Sequence, residues 1–334
     1  MANLATVNGR WVNLEKPGGA VFFVGGGTVA YLGRGASDSN KGTTPQEPFA
    51  TIDGTAGAHA SCVADRGDTI VMLPGTVTIT AAIALDLADV TLTGYTVTGP
   101  NIRNPSVVTC ATDSVSMIEV DAANVNVENL TITNTATTAD VFLIDVGDTT
   151  ASPGAILRNL YVDCEGGANT VNAIRIGDGT VVSDYCTIEG CTIYDLDDIG
   201  ITVADASEGC IIRNCRIFDR ASANVALTGI TIKADNTMVD NCVVKIDGTC
   251  IEVEAGATDT QITNTHLYSF AAAGHCLHIT ATGSVCASNI FCTAELAEYA
   301  VDFQTAVTGL SGIIGYTSAP ADGSISELIN PNIA

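Results

Sequence analysis

Positive charge is scarce in this chain: 13 Lys and Arg stand against 37 Asp and Glu, a formal net charge of −24 over 334 residues. So few cations argue against binding nucleic acid, whose phosphates would stay unneutralised, and against attraction to an anionic membrane. No stretch approaches the ~20 apolar residues that a spanning helix needs, so membrane insertion by that route is not expected. Met1 to Arg10 lacks a basic start followed by an apolar run, and synthesis and folding in a cytoplasm are expected. The twelve cysteines contain no CxxC pair, which argues against a zinc site. Gly25-Gly26-Gly27 has no following Lys-Ser/Thr and is not a phosphate loop. No metal and no cofactor are expected.

What the chain does have is a returning phrase: apolar, any residue, Asn, apolar, any residue, apolar. It reads Val127-Glu128-Asn129-Leu130-Thr131-Ile132 and returns around Asn159, Asn214, Asn241 and Asn264, with Gly190 in the same slot of one copy. The marked positions lie 30, 31, 24, 27 and 23 residues apart, a loose period that belongs to solenoids. Gly and Asn enter the left-handed backbone region at least cost, so each slot is a sharp bend with inward-facing neighbours. Short alternating strands lie between the bends, such as Ile118-Glu119-Val120, Ile144-Asp145-Val146 and Ile251-Glu252-Val253. Leucine-rich repeats carry a regular Leu pattern that is absent here. Three short strands per coil predict an all-β, single-stranded parallel β-helix. At the strand spacing, roughly ten coils between Asp68 and Thr317 make a prism on the order of 50 Å long.

Residues 37 to 317 are assigned to the solenoid, 1 to 36 to an N-terminal arm or attachment segment, and 318 to 334 to a C-terminal cap or tail. An open solenoid end needs covering, and Phe49 to Ala64 is expected to form a short capping helix. Cys191, Cys215 and Cys242 follow the bend, in the place that Leu130 and Leu160 take in other coils. They read as small buried hydrophobes in a reducing compartment, not as disulfides.

Two groups of residues are candidates for a site. Asp195-Leu196-Asp197-Asp198 precedes a strand, and paired carboxylates are what glycoside hydrolysis requires. The companions such a pair has in polygalacturonase-like enzymes are missing: no third Asp in Asn169 to Asn172, no Gly-His-Gly at Thr228 to Ile230, no Arg-x-Lys beyond. A solvated acidic turn is the competing reading. Asp163, Glu165, Asp195, Asp197, Asp198 and Asp219 lie in neighbouring turns and offer a weak calcium site at most, while Arg158, Arg175, Arg213, Arg216 and Arg220 show no pattern. The other candidate is a column four residues past the bend, Tyr194, Phe218, Lys245 and Tyr268, joined by Tyr161 and Phe291. Aligned aromatics on an outward face predict a subunit interface or a sugar-stacking platform; cover by side loops of the same chain is the competing reading.

Gly35 to Pro45, Pro48 to Ile52 and Asp65 to Gly75 resemble the opening of pectin-lyase-like right-handed β-helix proteins. The phrase Cys62-Val63-Ala64-Asp65-Arg66-Gly67-Asp68 is similar to that of tailed-phage virion proteins, among them tailspike-like capsid decoration proteins. The resemblance implies right-handed winding, a homotrimer and a place on a virion surface after assembly in the host cytoplasm. Its implied partners are other copies of the chain, a major capsid or other virion protein, and a host surface glycan. The expectation is therefore a non-enzymatic, trimeric capsid decoration protein. The alternative is a tailspike-type depolymerase, hydrolase or lyase, working through Asp195, Asp197 and Asp198. A secreted bacterial adhesin fits less well without a leader.

Overall fold

A computed structural model describes residues 3–7, 10–14, 18–25, 35–95, 105–135, 141–164, 171–196, 198–219, 227–271, 274–280, 285–294, 301–303 and 310–317. Within them the chain winds as a parallel β-solenoid. Each full coil contributes a short strand ending at the bend, a second strand just after it, and a third on the opposite side. Asn126–Glu128, Thr131–Asn134 and Val141–Val146 make one such set. The first two kinds of strand form a pre-bend and a post-bend strip of one 19-stranded sheet; the third forms a sheet of nine strands, from Ile83–Leu85 to Val301–Phe303. Roughly ten coils were expected between Asp68 and Thr317; over that interval the pre-bend strip has ten described strands, from Thr69–Met72 to Leu310–Thr317, and the third sheet nine.

Pairing is parallel without slippage, so equivalent residues stack coil on coil. Val127, Leu157, Ile188, Ile212, Val239 and Ile262 form one such file. Ile118, Ile144, Ile174, Ile201, Ile230, Ile251 and Leu277 form another across the interior. All are essentially inaccessible to water. Burying each such side chain stabilises by about 1.5–3 kcal/mol relative to leaving it exposed. Register is therefore locked, because a one-residue slip would turn the whole file outward.

The bends hold left-handed backbone at Asn129, Asn159, Gly190, Asn214, Asn241 and Asn264, with φ between 52° and 65°. Asn289 (φ 53°) continues the column. Cys191, Cys215 and Cys242 lie one residue past the bend, buried, each thiol donating to a carbonyl one coil earlier at 3.6–3.7 Å. All twelve cysteines are free thiols, and of these Cys286 alone is exposed.

Two boundaries differ from expectation. Val21–Val24 pairs in parallel with Thr69–Met72, so the solenoid starts there and not at residue 37. Ahead of it, Asn3–Val7 and Arg10–Leu14 form an antiparallel pair. The capping helix at 49–64 does not form; its helical content is one 3-10 turn, His59–Ser61. Gly54, at φ 107°, breaks the helical path, and Asp53 turns back to accept from the Gly54 N–H at 2.6 Å. The segment still covers the end as a folded plug, burying Phe49, Ile52 and Ala58, with Phe49 6.2 Å from Phe22. Asp53 also accepts from Ala84 N–H, blunting the open edge of the nine-stranded sheet. The expected tail, 318–334, lies outside the described residues.

Candidate functional surfaces

The post-bend strip builds the aromatic face. Its strands alternate an inward file (Val162, Ile193, Ile217, Val244, Leu267) with two outward ones. One outward file runs Asp163, Tyr194, Phe218, Lys245, Tyr268; the other runs Tyr161, Thr192, Arg216, Val243, His266, Phe291. The structure thus brings all five predicted aromatics onto one strip. Tyr161 and Tyr194 rings stand 6.3 Å apart, Lys245 Nζ is 5.1 Å from the Tyr268 ring, and the His266 and Phe291 rings lie 4.9 Å apart, tilted by 39°. Phe291 is 40% exposed, Tyr194, Phe218 and Tyr268 are half-buried, and Tyr161 is buried.

The nine-stranded sheet carries a polar file outward: Glu119, Asp145, Arg175, Thr202, Thr231, Glu252, His278, Asp302. Arg175 clamps the buried Asp145 through Nε (2.9 Å) and Nη2, reaches Asp148 at 2.6 Å, and lies over the Phe142 ring at 5.1 Å. Burial pushes the Asp145 carboxyl up, with Arg175 pulling the other way. Burial also raises Glu119, with Asp121, Asp148 and Asp145 adding to it. Further along, Glu252 holds His278 Nδ1 at 3.3 Å and Asp302 faces its Nε2 at 3.6 Å. The Glu252 contact raises the histidine and lowers the glutamate. Between these clusters lies a shallow groove of about 440 Å³, lined in part by Phe142, Ile199, Thr202, Thr228 and Lys233. The buried Thr202 Oγ1 on its floor has no hydrogen-bond partner.

Of the acidic candidates, Asp195 takes a left-handed bend (φ 57°) just past the post-bend strand Thr192–Tyr194. Asp198 leads into Ile199–Val203, its carbonyl accepting from Thr228 N–H at 3.0 Å; Asp197 lies outside the described residues. Among the described residues no three His, Cys, Asp or Glu side chains converge as metal ligands.

The arginines have a pattern that sequence inspection missed. In the file just before the bend, Glu128, Arg158, Glu189, Arg213 and Asp240 alternate in sign. Arg158 Nε is 3.3 Å from Glu189, and Arg213 Nε is 3.0 Å from the same carboxylate. A second left-handed column was missed too. Asp65, Asp89, Asn124, Gly154, Tyr185, Gly209, Asn236 and Asp259 all have φ between 52° and 72°. Each of the first seven donates its N–H to the carbonyl of the residue preceding the next member, at 2.8–3.1 Å.

These faces define a solenoid protein that presents long flat sheets to its surroundings. A family model, the right-handed β-helix region, matches residues 115–290, more than half of the chain. The chain belongs to that family, and its winding is right-handed. The fold resembles that of the pectate lyase Pel9A, with a TM-score of 0.57 and 12% identity over 96% of this chain and 80% of the other. It resembles ORF18 of Geobacillus virus E2 to a similar degree, with a TM-score of 0.56 and 12% identity over 95% and 68%. At such identity the likeness is one of fold: pectin-lyase-like. No curated protein matches the sequence significantly.

Proposed function

We propose that the chain is a structural component of a phage virion, a homotrimeric β-helix decorating the capsid surface. The observation that carries this reading is the aromatic strip, in which Tyr194, Phe218, Lys245 and Tyr268 fall on consecutive rungs and Phe291 stands exposed beside them. A rigid face of that length and composition suits burial against identical faces around a threefold axis. The fold likeness to a Geobacillus virus protein supports the virion setting. The test is a density map of the intact particle: the reading requires the prism at fixed, high copy number over the shell. Density at the tail tip alone overturns the decoration role.

The groove on the nine-stranded sheet favours a second reading, a tailspike-type depolymerase that binds a host surface glycan. The loop holding Asp195 and Asp198 runs directly into Ile199, which lines that groove, and the fold is shared with a pectate lyase. Under it, Asp195→Asn, Asp197→Asn and Asp198→Asn combined in one variant abolish release of oligosaccharides from host glycan. Unchanged release by that variant, or none by the native chain, rejects it.

A further inference from the structure

Seven of the eight residues in the second left-handed column are Asp, Asn or Gly, the types that adopt positive φ at least cost; the eighth is Tyr185, at φ 57°. A bulky aromatic there is strained, and its side chain is not buried in return, being 70% exposed. The Cδ1–Cε1 edge of the ring rests over Gly209 one rung on, where a Cβ would meet those atoms at 2.7 and 2.8 Å. Val182, three residues earlier, is exposed as well at 44%. Acidic residues adjoin this position on both rungs: Asp184 directly precedes Tyr185, Glu208 directly precedes Gly209, and Asp184 Oδ1 accepts from Glu208 N–H at 2.8 Å. Asp235 precedes Asn236 on the following rung.

We infer that Tyr185, with Val182, Asp184 and Glu208, forms a docking point for a basic segment of another protein, an Arg or Lys side chain stacking on the open ring. Charge decides the occupant. An aromatic ring and carboxylates both attract a cation. An acidic segment would be repelled by Asp184 and Glu208, and a copy of this chain brings the same net charge of −24. The surface lies on the turn between the nine-stranded sheet and the pre-bend strip, away from the aromatic strip. It stands whether or not the chain assembles as proposed above.

The test uses the full chain and a labelled hexa-arginine peptide as probe, at physiological salt. Tyr185→Asn, which puts a favoured residue into the slot, is expected to weaken binding about fivefold, close to 1 kcal/mol. Tyr185→Phe should bind as the native chain does. Tyr185→Asn should also melt about 2 °C higher, through relief of the backbone strain. Unchanged peptide affinity in Tyr185→Asn overturns the proposal. A lower melting temperature overturns the strain argument and makes the ring a packing element over Gly209. Two other results overturn the choice of partner: loss of a native oligomer in Tyr185→Asn, which assigns the surface to a second copy, or loss of cellohexaose binding with the peptide unaffected, which assigns it to a neutral glycan.

Discussion

Asn241 donates from Nδ2 to Oδ1 of Asn214 one coil earlier, at 2.8 Å. Asn159 does the same to Asn129 at 3.3 Å, and Asn289 to Asn264 at 2.6 Å. Gly190 interrupts this ladder between Asn159 and Asn214, and Asn264 diverts to the Asp240 carboxylate. The side chains thus tie together bends that the backbone geometry alone already requires.

Asn214→Ala should destabilise the protein by about 1–2 kcal/mol, since alanine gains nothing from the left-handed bend and leaves Asn241 without its acceptor. Gly190→Asn should be close to neutral, because the atom it crowds is the movable amide oxygen of Asn159, 2.7 Å from an added Cβ. Gly190→Val, β-branched at φ 65°, should destabilise more than either. Unfolding rates in denaturant, compared across the three variants, check the order.

The bend phrase was legible because three constraints coincide in it: an inward apolar residue, a left-handed slot and a second inward residue. The second left-handed column escaped notice because no fixed apolar phrase flanks it, and what its members share is a backbone angle and the N–H ladder between rungs, neither of which is written in the letters. The charge file before the bend was visible in principle as Glu128, Arg158, Glu189, Arg213 and Asp240, all one residue ahead of the marked slot. It reads as scattered until the coils are stacked. The capping helix failed for a local reason, since Gly54 and Asp53 favour turns over a continuous helix. Alternation put the five aromatics on one strip but did not foretell that Tyr161 is buried there, and the groove depends on neighbouring coils meeting across the nine-stranded sheet.

Arg175→Ala should destabilise by about 3 kcal/mol, because it strands the buried Asp145 carboxylate without its counter-ion. Asp145→Asn combined with Arg175→Gln should recover part of that loss. Thermal denaturation of the two variants distinguishes an uncompensated charge from simple loss of packing.

The His278–Glu252 pair gives a pH dependence whose sign is fixed by its two shifts. The histidine is raised, so its contribution is full below the ordinary histidine range and is lost as pH rises through its folded value. The glutamate is lowered, so its contribution is present above the ordinary carboxylate range and is lost in acid. His278→Asn should therefore lower the melting temperature most at about pH 5–6 and least above about pH 8. Melting curves of both proteins across that range read the difference directly.

Thiol chemistry tests the interior. In the native protein a thiol reagent should titrate Cys286 alone, and after denaturation all twelve. Cys62 should be unreactive through burial, which pushes its thiol up to about 12.

The mass of the native protein in solution tests the assembly most directly. The expected particle has three times 34.2 kDa, and Tyr194→Ser, Phe218→Ser and Tyr268→Ser together convert it to monomer with the β-sheet circular dichroism spectrum retained. A native monomer, or a trimer that survives the triple substitution, contradicts it.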